Sequence, residues 1–149
     1  MKRSASVPDP TLYLFDGWNL LHAGSFEEPT ELIDRLASFV GTTGARGILV
    51  FDGTGPDERI GPLEIRFAEH ADTLLERLAA EHRGAESVCI VSSDSVIRGV
   101  SGQEVRTVSS QRFLADAEAT SHSEERPLRL GDRLDERTRA ALERLRRGQ

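Results

Sequence analysis

Three short runs, "LYLFD" at 12–16, "ILVFD" at 48–52 and "CIVSSD" at 89–94, are almost continuously apolar and each ends on a carboxylate. A strand with one wet face alternates apolar and polar residues. A continuous apolar run is buried on both faces, which is the situation of a central parallel strand between helices. Helical patterns separate the runs. In "PTELIDRLASFVG" Leu32, Ile33, Leu36, Phe39 and Val40 share a face, with Thr30 expected as N-cap behind a proline and Gly41 as the stop. In "HADTLLERLAAEHRG" Ala71, Leu74, Leu75, Leu78 and Ala79 face one way. The alternation implies an α/β protein: a three-layer α/β/α sandwich with a mainly parallel central sheet.

The remaining stretches follow from their punctuation. "TGPDERIGP" is expected to be a loop, "LEIRFAE" a half-buried strand, "SVIRGVSGQ" a short helix or loop, "EVRTVSS" a strand and "QRFLADAEAT" a helix. "SHSEERPLRLG" is expected as a linker. "DERTRAALERLRRG" reads as a terminal helix, with acids early and arginines late as the helix dipole prefers. This divides the chain into a loose tail at 1–10, a domain at 11–121, and a linker with a C-terminal basic helix packing on the domain at 122–149.

With 149 residues, 38% hydrophobic and 30% charged, the expectation is one globular soluble domain. No apolar run approaches the ~20 residues of a membrane helix. The opening "MKRSASVPDP" lacks the apolar centre of a secretory signal. The single cysteine, Cys89, has no internal partner and suits a reducing cytoplasm as a small core residue. A net charge of -6 argues against unaided capture of nucleic acid, which normally rests on lysine and arginine. The basic zone is the end of the chain, from Arg129 to Arg147.

In open α/β sheets ligands bind outside the carboxyl ends of the strands, where strand order reverses. Asp16, Asp52 and Asp94 close the three runs there, and Asp72 opens the helix between the second and third. Gathered carboxylates repel unless a cation neutralises them. Mg²⁺ or Mn²⁺, which take oxygen ligands, would do so and would support phosphodiester chemistry. Any one of these aspartates alone reads more readily as a turn or cap residue than as a ligand; the four on one edge favour the metal. Asn19 has two readings, an amide donor to a phosphate or a pin for its own loop. Trp18 either stacks on a base or packs. Ser92 and Ser93 either bind phosphate or cap a helix. His22 and His70 lack zinc-ligand spacing. No Walker loop or GxSxG elbow is present, and Trp18 occupies the position where a DxD phosphatase needs its second acid.

These residues carry a resemblance. "LFDGWNLLHA" is similar to the "DGYN" opening of NYN domains, a branch of the PIN-like nucleases, and most of all to their YacP-like members. The likeness continues in order through "LVFDG", "LEIRFAEHADTLLERLA", "VCIVSSDSVIRG" and the closing "LERLRRG". It implies a metal-dependent ribonuclease or an RNA-binding module. On it Asp16, Asp72 and Asp94 would be catalytic metal ligands, Asp52 a supporting ligand and Asn19 the motif asparagine; with Asn19, the candidates for substrate contact are Trp18, Ser92 and Ser93. Trp18 stands where tyrosine is usual. Thr73 replaces a second acid that relatives often carry, and Glu76, one turn beyond Asp72, is either its substitute or an exposed helix acid. The expected function is cleavage of RNA presented by a larger partner, such as the ribosome. A non-catalytic RNA-binding module and a small-molecule phosphohydrolase are the alternatives.

Overall fold

The chain order in a computed structural model, which describes residues 9–93, 105–121 and 136–147, is β1 (Leu12–Asp16), α1 (Gly17–Ala23), α2 (Pro29–Thr43), β2 (Arg46–Asp52), β3 (Glu58–Ile60), β4 (Leu63–Ala68), α3 (Ala71–His82), β5 (Val88–Val91), β6 (Val105–Val108), α4 (Ser110–Ser121) and α5 (Glu136–Arg147). The six strands form one sheet in the order β3-β4-β2-β1-β5-β6. All pairings are parallel except β3 with β4. The apolar runs are the middle of this sheet, buried on both faces as their composition requires.

Alternate residues of each strand feed two cores. Phe15, Leu49, Cys89 and Val91 meet α1, α2 and α4 on one face, through Leu20, Leu36 and Phe113 among others. Leu14, Ile48, Val50 and Ile90 meet Leu75 and Leu78 of α3 on the other. Helices thus cover both faces of a mostly parallel sheet, the architecture of a PIN-like fold. Aromatic contacts stiffen the first core: Tyr13 lies 5.1 Å from Phe39, Phe15 5.3 Å from Phe113 and Phe39 4.8 Å from Phe113, ring centre to ring centre, while Trp18 and Phe67 flank Phe51. Among the described residues no helix is long and apolar enough to cross a membrane.

Three local expectations are corrected. "TGPDERIGP" contains a strand: β3 turns into β4 through Gly61 and Pro62, with Ile60 opposite Leu63. Gly61 has φ +58°, and proline fixes the next φ negative, the signs a two-residue type II′ hairpin needs. α2 begins at Pro29, where a missing N–H costs nothing, and ends past Gly41 at Gly44, whose φ of +82° makes the left-handed cap. And Asn19, offered as a pin for its own loop, lies in a helix, because β1 runs straight into α1. "SVIRGVSGQ" and most of "SHSEERPLRLG" lie outside the described residues.

Gly17 explains the abrupt strand-to-helix passage. A Cβ there would sit 2.6 Å from Phe51 Cδ1 and 2.8 Å from the Val50 carbonyl oxygen, so only glycine lets α1 start this close to β2. α5 docks by Ala141 and Leu142, both buried, with Thr138 donating its hydroxyl to Glu58 at 3.0 Å; Arg137 and Arg144 face solvent.

Two outcomes follow. Gly17→Ala should destabilise the domain by about 1–3 kcal/mol through overpacking against backbone that cannot yield, lowering the melting temperature by several degrees; an unchanged melt would refute the close approach. Burial lifts the Cys89 thiol from its ordinary 9.0 to about 11, against a smaller opposing pull from Arg106, and burial raises Tyr13 as well. Their contribution is complete below about pH 9. Above it the unfolded chain releases protons that the folded chain retains, so stability falls until the folded thiol itself titrates. Urea unfolding between about pH 8 and 11 should show this decline, on the order of 2 kcal/mol from the thiol, and Cys89→Ala should make it shallower.

Candidate functional site

β1 pairs with β2 on one side and β5 on the other, and the chain leaves β1 and β5 in opposite directions across the sheet. The crevice between their carboxyl ends is therefore the switch point where such sheets bind ligands. Asp16 ends β1 there. Register puts Phe15 beside Val91, so Ser92 lies next to Asp16. Ser92 is fully buried and its hydroxyl donates to Asp16 Oδ2 at 2.9 Å. Ser92 thus serves the carboxylate, and the hydroxyl that sequence reasoning offered to phosphate is spent on orienting Asp16.

α1 carries Asn19 to the same crevice. Its Oδ1 accepts the backbone N–H of Ser93 at 3.0 Å and a hydrogen bond from the Ser110 hydroxyl. A backbone N–H can only donate, which fixes the amide with its oxygen towards Ser93 and its NH₂ turned the other way. With two donors on the oxygen, what Asn19 offers a ligand is N–H. Asn19 therefore pins its surroundings and remains a donor, so its two readings are compatible.

The rest of the cluster comes from the neighbouring strand. Val91 is in register with Val108, and both strands exit on Val-Ser-Ser. The Ser93 hydroxyl donates to Gln111 Oε1 at 2.7 Å and accepts the Ser110 N–H at 3.2 Å. Ser109 caps α4, its Oγ accepting the Arg112 N–H at 3.1 Å. Ser110, fully buried, and Gln111 are site residues that sequence reasoning missed. The repeated Val-Ser-Ser at 91–93 and 108–110 was the signal.

The other predicted residues take helix-end and core roles. The Asp52 side chain is exposed, and its Oδ1 accepts the Ala71 N–H at 3.4 Å, one of the unpaired donors at the start of α3. Asp72, in the first turn of α3, accepts the Thr73 N–H at 2.8 Å. Trp18 is 8% exposed; it packs edge-on against Phe51 at 4.7 Å and donates its indole N–H to the Asp52 carbonyl at 2.9 Å, which leaves no open ring face for a base. Its place is the core. Glu76 is half-buried, and His22 and His70 are exposed. Asp94 lies outside the described residues.

The donors at this edge are hard oxygens, the chemistry Mg²⁺ and Mn²⁺ favour. Among the described residues no three His, Cys, Asp or Glu side chains group as a metal site. The crevice joins a held carboxylate, Asp16, to the amide N–H of Asn19, which sits on a shelf built by Ser93 and Ser110. Such a shelf suits an anion whose charge the carboxylate side must see neutralised.

Comparison with known proteins agrees with this fold. The family model of the YacP-like NYN domain matches residues 13–147. The crystal structure of Rae1 (YacP) from Bacillus subtilis is similar, at 27% identity and TM-score 0.58 over 92% of this chain and 84% of that one. A tryptophan-to-leucine mutant of the same protein aligns at 30% identity and TM-score 0.59, over 72% of this chain and 75% of that one. No curated protein matches the sequence. The chain belongs to the YacP-like NYN domain family, and its fold is that of a ribonuclease-like domain.

Proposed function

We propose that the domain hydrolyses phosphodiester bonds in RNA, with Mg²⁺ or Mn²⁺ bound at the carboxyl edge of the sheet. The observation that carries this reading is the Asp16 carboxylate, held by Ser92 at the switch point beside the Asn19–Ser93–Ser110 shelf, in a chain of this family. Asp16, Asp72 and Asp94 are the proposed metal ligands, with Asp52 in support. A bound divalent ion supplies positive charge that lets carboxylates and phosphate share the crevice and lowers the pKa of water. Asn19 donates its amide N–H to a phosphate oxygen. Ser93 and Ser110 hold that amide in place, so the donor meets the substrate already oriented. Ser92 fixes which oxygen of Asp16 faces the crevice.

The net charge of -6 supports delivery of the RNA by a larger partner, a ribonucleoprotein such as the ribosome, in the cytoplasm. Exposed Arg137 and Arg144 on α5 supply phosphate contacts that the acidic body lacks. One observation favours the second reading, a non-catalytic RNA-binding module: Thr73, exposed on the first turn of α3, leaves Asp72 without an acidic neighbour there.

Incubation with single-stranded and structured RNAs in Mn²⁺, Mg²⁺ or EDTA separates the readings. Cleavage is expected with metal and not with EDTA. Asp16→Asn should reduce it at least about 100-fold, while the melting temperature without metal stays level or rises, since the amide still accepts from Ser92 and one repelling charge is gone. Ser92→Ala should cost about 10–100-fold in activity, recovered in part by raising the metal concentration. Binding of RNA without metal-dependent cleavage at any concentration would establish the second reading.

A further inference from the structure

On the face covered by α2 and α4, a cavity of about 200 Å³ opens among Tyr13, Phe39 and Phe113, with Cys89 beneath and Arg106 and Asp116 also lining it. None of these residues belongs to the crevice around Asp16. The volume is that of roughly seven liquid waters, below the range of sites that enclose a whole drug-sized ligand. It suits one flat group. Three rings, two of them half-buried, give such a group a stacking surface. The lining carries both signs of charge, Arg106 from β6 and Asp116 from α4, the latter 3.8 Å from Arg112; a guanidinium and a carboxylate each have more hydrogen-bonding positions than one ion pair uses. A nucleobase edge presents acceptors and donors together, acceptors for the guanidinium and N–H groups for the carboxylate.

The cavity is also connected to the proposed reaction site. Val108 and Asp116 line an adjoining open groove of about 390 Å³, continued by Thr107, Ser109 and Arg112. Ser109 caps α4 beside Ser110, which binds Asn19. Tyr13 and Asp16 lie three residues apart on β1, about 10 Å along the strand.

We propose that the cavity formed by Tyr13, Phe39 and Phe113 binds one base of single-stranded RNA, displaced from the Asp16 crevice along the β6–α4 groove. Arg112 in the groove meets the intervening backbone. The assignment rests on the ribonuclease reading for its macromolecule, but the pocket is tested without cleavage.

Tyr13 is the only tyrosine, so its ring protons are an unambiguous probe. Titration with each of the four ribonucleoside 5′-monophosphates at millimolar concentration in EDTA, followed by NMR, should shift the Tyr13 and Phe113 ring signals saturably. Arg106→Gln, at the cavity lining and outside the core, should weaken that binding several-fold, and Asp16→Asn should leave it unchanged. With a short single-stranded RNA in EDTA, Tyr13→Leu should weaken binding about 5- to 100-fold, the worth of one stacked base. An abasic ribose at one fixed position should abolish the difference between Tyr13→Leu and wild type. Ring signals that ignore all four nucleotides, or that answer only to indole, would overturn the proposal. Saturable shifts in a protein that cuts no RNA would uphold the pocket and remove the ribonuclease reading.

Discussion

The side-chain oxygen of Asn19 is the tie on which the crevice depends. It joins α1, which carries it, to the end of β5 through Ser93 and to the head of α4 through Ser110. Both donors are largely withdrawn from water, so loss of the oxygen would leave them without a partner at a cost of about 1–3 kcal/mol each. For Asn19 to reach them, α1 must start immediately after β1. That start requires Gly17, because the helix begins against Phe51 and the Val50 carbonyl. The indole of Trp18 then ties α1 to the end of β2 through the Asp52 carbonyl. The four residues Asp16 to Asn19 are thus one device. A carboxylate is set at the switch point, a glycine permits the sharp entry to the helix, an aromatic anchors it, and an amide locks the neighbouring strand ends.

The same geometry separates the acids by task. Asp16 is held from the side by a buried serine, while Asp52 spends an oxygen on the opening N–H of α3 and Asp72 accepts from its own helix. Helix N-termini offer both acids a favourable local field. Their positions at the sheet edge are therefore supported by the start of α3. In the proposed function the substrate's charge is met by the Asn19 amide N–H, which Ser93 and Ser110 orient in advance.

The architecture was legible because a doubly buried strand has no choice but to be apolar throughout, and β1, β2 and β5 are. α1 was not legible: it opens on Gly-Trp-Asn directly after Asp16, the composition of a turn, and Gly17 is what lets a helix start this close to β2. β3 hid for a similar reason, since three residues between glycines and prolines offer no period to count. In the site, Asp16 and Asn19 stood out because polar groups follow a buried strand directly. The division of labour between Ser92 and Ser93 did not, because adjacent residues of an extended chain point to opposite sides and the sequence does not say which faces the acid. Ser110 was concealed by distance along the chain, although its Val-Ser-Ser context repeats that of Ser92 and Ser93. For Trp18 the sequence allows stacking on a base or packing, and its neighbour across the sheet edge, Phe51, makes it core.

Divalent-ion uptake by the Asp16 crevice is the step from which the proposed chemistry follows, and electron paramagnetic resonance of Mn²⁺ reads it without RNA. Titrated into the full-length protein, Mn²⁺ should lose free-ion signal in proportion to wild-type protein and should lose far less with Asp16→Asn, both proteins having the same circular dichroism spectrum. Equal uptake by the two, or none by either, would contradict the assignment of Asp16 as a metal ligand.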